Sequence, residues 1–428
     1  MINKGFINKL SINVNRLYDY VKIFSFPRLA GTEGEKEAVD LTVDAFRKIG
    51  FENSQIIKEP FKFSDFYSTT LIKLIMVINL TFSLFILMFA YVYLFLSLFI
   101  IGTGILLIIL IIKGLRHPET PGFWGEYYGN TLSATNVFVK IPANKLTTTK
   151  AGNIIISAHL DSKSQTFKTS WRVVLYRIWL YSGIFLGGFL IALFIRTYSP
   201  LKLNLIVVGT GIWVCTILIS ISNIFLLFQN TQNESPGALD NASGMAIVFV
   251  LSNYFKENPL ENFNLWFCHF SAEELGTMGS RIFVNNHEEQ FIKGRTFHFN
   301  LDMISCAGNS RNRVEYLESY GVLPRKKIAP LLSKYLENAA IEEEVNIKGF
   351  HLSVGAHTDS VPFHLRGYDS VDIVTRAAGK YTHNKIDTLD KIDSTVLLEA
   401  ALITRKSILM IDNDYEQLCE NNELFCEI

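Results

Sequence analysis

Along most of the chain apolar and charged positions are mixed at short range, but three stretches carry no charge at all. Residues 74–112, 178–195 and 203–228 contain no Asp, Glu, Lys or Arg. A hydrocarbon core of about 30 Å is crossed by about 20 apolar residues in a helix. As one helix the first stretch would be roughly 58 Å long at about 1.5 Å per residue, so it reads as two crossings. The aromatic cluster Phe89, Tyr91, Tyr93 and Phe95 sits near its middle, where an interfacial belt at a tight turn falls. The other two stretches predict helices over 176–195 and 204–228, separated by the polar, proline-containing RTYSPLKLN. Four membrane helices in two hairpins follow. The alternative is a set of buried core helices in a large soluble fold.

Elsewhere the pattern changes to short elements of both kinds. EKEAVDLTVDAFRKIGF has helical periodicity and ends at Gly50, a C-cap. ATNVFVKIP and GNIIISAHL are β-rich runs. NASGMAIVFVLSNYF predicts a helix, and FNLWFCHFSAEE a buried strand running into polar residues. RTFHFNLDMIS and VDIVTRAAG predict further strands, and STVLLEAALITRKSILMI a C-terminal helix. This alternation predicts an α/β fold with helices on both faces of its sheet. Segments 1–70, 113–172 and 229–428 are expected to build that fold together, interrupted by one membrane hairpin at 71–112 and a second at 173–228.

Composition sharpens this picture. Charged residues make up 19% of the chain, below the soluble norm of about 25%, and the deficit lies in the three uncharged stretches. Forty basic side chains balance forty acidic ones, so no net field recruits nucleic acid. Five cysteines without a CxxC pair exclude a disulfide framework and a thiolate zinc site. Lys73, Lys113, Arg116, Lys168, Arg172 and Arg177 flank the helices on the side of the soluble segments, against Arg196 and Lys202 on the other. The positive-inside bias then places the soluble part on the cytoplasmic side of a multi-pass membrane protein. Asn79 lies within a predicted span and is expected to contact a neighbouring helix.

Three predicted strands end in groups with chemistry: His159 and Asp161, Glu273 and Glu274, and Asp302. Asp240 in PGALDNASG and His383 in YTHNKIDTLD add two more. In open α/β sheets ligands bind beyond the carboxyl ends of strands, where such residues converge. Imidazole and carboxylate without thiolate is the donor set of a catalytic zinc site. Two histidines and three of these five carboxylates already exceed what one ion needs and fit a metal pair, roughly 3.5–4 Å apart, sharing a bridging carboxylate.

With these motifs in place the chain resembles the M28 family of zinc peptidases, the aminopeptidase group. The likeness runs from FPRLAGTEGEKEAVDLTVDAFRKIGF through SAHLDS, GALDNASGMA, SAEELGTMGSRIF, NLDMIS, HTDSVPF and THNKIDTLDKID, in the family's order. It implies a mixed central β-sheet flanked by helices and two Zn2+ ions. His159 and Asp302 would hold one ion, Glu274 and His383 the other, with Asp240 bridging. Glu273 falls on the general base that activates the attacking water, and Asp161 on the carboxylate that orients the site. Tyr381, His357 and Asp359 fall near the substrate. Where relatives often carry Tyr before the last ligand, this chain has Thr382. The implied function is a membrane-anchored di-zinc aminopeptidase acting on peptides. The alternatives are a single-zinc aminoacyl transferase like the glutaminyl cyclases, or a membrane scaffold or transporter with an inactive hydrolase domain. The near-absence of ionisable residues from the spans disfavours transport.

Overall fold

In the computed structural model, residues 12–114, 117–121, 127, 129–148, 150–321, 324–353 and 358–423 are described. The chain forms two compact units. One comprises Met1–Phe63, Leu132–Ser164 and Gln232–Ile428, the other Ser64–Thr131 and Gln165–Thr231.

The first unit is built on a nine-stranded sheet among the described residues. Its strands are β1 Ile56–Ser64, β2 Thr131–Ile141, β3 Gly152–His159, β4 Phe263–Phe270, β5 Thr296–Leu301, β6 Glu315–Tyr320, β7 Lys326–Lys327, β8 Lys348–Leu352 and β9 Asp369–Val374. The order across the sheet is β1-β2-β4-β3-β5-β9-β6-β8, with β7 paired to β6. The central strands β4, β3, β5 and β9 run parallel, while β2 and β6 run antiparallel to their neighbours β4 and β9. The sheet is therefore mixed, with a parallel centre.

Period-two alternation explains why the central strands read as unbroken apolar runs. Ile154, Ile156 and Ala158 of β3 join one buried cluster, together with Leu265 and Phe267 of β4. Ile155 of β3 and Trp266, Cys268 and Phe270 of β4 join another. Both faces are covered, as parallel strands require. The first cluster takes in α1 Val14–Ile23, α2 Glu33–Ile49, α7 Ser243–Glu257, α9 Pro330–Glu342 and α11 Ser394–Asn413. The second takes in α8 Met278–His287 and α10 Ser360–Leu365. Helix α2 shows how local chemistry sets an element. Glu33 and Glu35 lie in its first turn and Arg47 and Lys48 in its last, and Gly50 caps it at φ 99°, as the macrodipole and the left-handed cap favour.

The second unit carries four apolar helices, α3 Thr69–Phe89, α4 Leu94–Gly114, α5 Thr169–Tyr198 and α6 Leu205–Leu227. Each contains a segment long and apolar enough to cross a membrane. The first break falls at residues 90–93, inside the aromatic cluster. Helix α5 extends well before residue 176, because Arg172 and Arg177 end the uncharged run without ending the helix. Asn79 Oδ1 of α3 accepts from Trp179 Nε1 of α5 at 3.0 Å and from Asn223 Nδ2 of α6 at 2.8 Å.

Candidate metal centre

The parallel centre of the sheet delivers the polar residues to one edge. His159 is the last residue of β3, Glu273 and Glu274 lie just beyond β4, and Asp302 follows β5. Asp240 sits in the irregular turn that leads into α7, where its peptide bond to Asn241 is cis. His383 comes from the loop after β9, at φ 57°.

Two groups of donors form around Asp240. Its Oδ1 lies 3.0 Å from His159 Nε2, which is 3.3 Å from Asp302 Oδ1. Its Oδ2 lies 3.2 Å from His383 Nε2, which is 3.2 Å from Glu274 Oε2. One donor atom from each of His159, Asp240 and Asp302 falls within 4.8 Å of the others, and the same holds for Asp240, Glu274 and His383. Asp240 thus serves both groups, one oxygen to each.

A surrounding shell fixes these side chains. His159 Nδ1 lies 2.9 Å from the carbonyl oxygen of Asp161, so a ring proton sits on Nδ1 and Nε2 is the nitrogen that faces the cluster. The Asp161 carboxylate accepts from the backbone N–H of Glu273 and of Glu274, at 3.1 and 3.2 Å. Asp387 does the same on the other side, accepting from Leu239 N at 2.6 Å and Asp240 N at 3.1 Å. Asn241 Nδ2 donates to the Leu301 carbonyl beside Asp302. Arg28 is fully buried and donates to the carbonyls of Leu160, Phe24, Phe26, Pro236 and Gly237, clamping the His159 strand to the Asp240 turn. The positions of Asp387 and Arg28 carry no signal of these roles in the sequence, because both act on backbone.

The electrostatics follow from crowding carboxylates in a buried place. Burial alone would lower His159, but Asp161, Asp240 and Asp302 raise it well above the ordinary imidazole value. His383 is raised against burial by Glu274 and Asp240. Burial pushes at Asp240 and Glu274 too, yet His159 and His383 hold Asp240, and His383 and Lys163 hold Glu274, below the usual carboxylate range. Glu273 goes the other way, well above that range, through burial beside Glu274, Asp302 and Asp359. Protons on the imidazoles here do the work of missing positive charge.

A metal pair fits these residues on the structure's own terms. Five oxygen and nitrogen donors face two common centres, and Glu274 Oε1 is buried with no hydrogen-bond partner among the described residues. A buried acceptor left open in this way is costly unless a cation takes it.

The remaining candidates fall in three groups. Asp359 is fully buried and close enough for Asp161 and Asp302 to help burial raise it to about 7. Tyr381 packs its ring under Lys380 and Lys391, at 5.4 and 5.3 Å, and Thr382 beside it is buried. His357 lies outside the described residues. His269 and His298, away from the cluster, are buried against Phe249 and Phe363.

Residues 225–408 match the model of peptidase family M28. Those residues carry the likeness to that family. Asp240, Glu273, Glu274, Asp302 and His383 fall inside the matched range, and His159 and Asp161 precede it. Aminopeptidase YwaD of Bacillus subtilis is 27% identical over 173 residues, which cover 39% of this chain and 36% of that protein. The chain thus spans about a third of the length of the curated relative it matches. Among solved structures, the chain is similar to BSAP, a zinc aminopeptidase from Bacillus subtilis, with a TM-score of 0.54 at 14% identity over 93% of this chain and 95% of that one. A glutaminyl cyclase from an Acidobacteriales bacterium gives 0.52 at 15% identity over 94% and 96%. At such identities these likenesses speak for the fold, a mixed sheet flanked by helices.

Proposed function

We propose that the chain is a membrane-anchored metallo-aminopeptidase that holds two zinc ions and removes N-terminal residues from peptides. The observation that carries this reading is Asp240, whose two oxygens face His159 on one side and His383 on the other. His159 and Asp302 would hold one ion, Glu274 and His383 the second, and Asp240 would bridge. Bound zinc supplies Lewis acidity and a water nucleophile near neutral pH.

The chain's own residues do the rest. Glu273 takes the proton of the attacking water on its carboxylate and returns it to the leaving amine nitrogen. Burial among carboxylates raises its proton affinity, which suits a base that must also act as an acid. Asp161 fixes the backbone of Glu273 and Glu274 together, so that base and ligand keep their separation. Thr382 occupies the position beside His383 and offers a hydroxyl shorter in reach than a phenol. The four apolar helices anchor the chain in the bilayer, and the excess of Lys and Arg at their ends on the side of the sheet puts that side in the cytoplasm.

The likeness to a glutaminyl cyclase fold supports a second reading, a single-zinc aminoacyl transferase. The full donor set around Asp240 argues for the peptidase. Purified protein should contain about two zinc ions per chain, the number a shared bridging carboxylate serves, and release amino acids from aminoacyl reporter substrates. One zinc ion with pyroglutamate formation would decide for the transferase. Glu273→Gln should keep its zinc and lose turnover by at least about 100-fold, the scale of general base catalysis. Full retention of turnover would end the hydrolase reading.

A further inference from the structure

The two donor groups around Asp240 are not equivalent, and the difference lies in a lysine. Lys163 follows His159 by four positions, in HLDSK. Its side chain is 12% exposed, and its Nζ lies 2.7 Å from Glu274 Oε2. The same ammonium donates to the Glu274 carbonyl oxygen at 3.0 Å. Glu274 Oε2 is also the oxygen that faces His383 Nε2. The Glu274 oxygen that faces His383 is therefore already shared with a resident cation, which leaves Oε1 as the open one. In the His159–Asp240–Asp302 group, no Lys or Arg among the described residues forms an ion pair with Asp302 or Asp240.

We propose that Lys163 is a built-in counter-ion of the Glu274 half of the centre, which makes that half the weaker zinc site and loads the two ions in sequence. This rests on the reading of the five residues as a metal pair. The first ion enters the His159–Asp302 half, where the carboxylates have no competing partner. The second must enter beside an ammonium held at close range by a buried carboxylate, where charges are only weakly screened. Lysine suits this task. Its ammonium is a point charge on a flexible four-carbon stem, so it can release Oε2 and keep its bond to the Glu274 carbonyl. The half-loaded chain then keeps a positive charge in the second position and stays folded at low free zinc.

The test is a zinc titration of the full chain in detergent, competed against a chromophoric chelator, with bound zinc counted at each free concentration. Wild-type protein should bind one ion tightly and a second at least about tenfold more weakly, within the range by which neighbours of metal ligands change affinity. Lys163→Gln and Lys163→Met should tighten the second step by about 10–100-fold and leave the first where it was, whereas Lys163→Arg should keep the gap. A general loosening of the fold would weaken both steps, so this split separates a direct effect from a structural one. Without zinc, Lys163→Gln should also unfold at a lower temperature than wild type, and zinc saturation should close that difference. Equal affinities for both ions in wild type, or an unmoved second step in both Lys163→Gln and Lys163→Met, would overturn the proposal. Failure of every form to bind zinc would instead bring down the metal-pair reading itself.

Discussion

Asp161 and Asp387 each spend a buried carboxylate on two consecutive backbone N–H groups. A carboxylate accepting such charge-assisted bonds fixes a turn more firmly than a neutral acceptor, and here the turns are those that present Glu273, Glu274 and Asp240. Residue types alone point to donors, because His and carboxylates at strand ends are conspicuous. They do not point to Asp387 or Arg28, whose work is done on main chain from distant segments. Glu35 belongs to the same hidden class. It is buried in α2 and accepts from Thr135 N at 3.0 Å and Ser271 Oγ at 2.9 Å. Burial outweighs those bonds and pushes its carboxyl up to about 7. Between the ordinary value near 4.5 and 7 the folded chain therefore holds a proton that the unfolded chain has released. The stability this group contributes is full below that window and is lost as pH rises through it. Glu35→Gln removes the titration, so its melting temperature relative to wild type should rise between pH 5 and pH 8. The swing is on the order of 3 kcal/mol at most, at about 1.4 kcal/mol per unit. Taking the difference between the two proteins cancels the histidines that titrate in the same range. A constant difference across those pH values would show that Glu35 in the folded chain does not hold its proton above the ordinary carboxylate range.

At the scale of elements, the hydrophobic pattern carries most of the information. Continuous apolar runs mark β3, β4 and β5 because each is buried on both faces. The order of the strands is not in the pattern: β4 slots between β2 and β3, and only packing of the whole sheet decides that. The apolar helices are likewise legible by length, while their interior polar contacts are not. Asn79 stands out as a polar residue in an apolar stretch, but its partners, Trp179 and Asn223, lie on two other helices. With little hydrophobic drive between helices in lipid, such bonds help set which helices meet. Asn79→Leu leaves the Trp179 and Asn223 donors without this acceptor and should cost about 1–2 kcal/mol, read as a lower melting temperature of the detergent-solubilised protein. In the Trp179→Phe, Asn223→Leu background the same change should cost much less. An equal loss in both backgrounds would mean that the Asn79 side chain acts by packing alone.

For the whole molecule, the two helical hairpins look in the sequence like interruptions of one continuous fold, and chain geometry explains how a sheet tolerates them. A long insertion costs little when its two ends are held together, since closure entropy grows only slowly with loop length. Both insertions meet that condition. Asp65 and Asn130, at the base of the first, are joined through Asp65 N to the Asn130 carbonyl and through the Asp65 carboxylate to Asn130 N and Nδ2. At the base of the second, Ser164 Oγ accepts from Glu234 N at 2.9 Å, and Ser162 Oγ donates to the Ser235 carbonyl at 3.1 Å. The sheet unit holds the five proposed metal ligands together with Glu273 and Asp161. Replacing residues 66–129 and 165–232 by short Gly/Ser turns should therefore give a protein that is soluble without detergent, binds zinc and cleaves aminoacyl reporters. Size-exclusion chromatography, zinc content and turnover check this together. Retained turnover would make the helices an anchor, and any lost preference for hydrophobic peptides would be their contribution to substrate supply. A shortened chain that aggregates or fails to take up zinc would show that the sheet unit depends on the helices for its own folding.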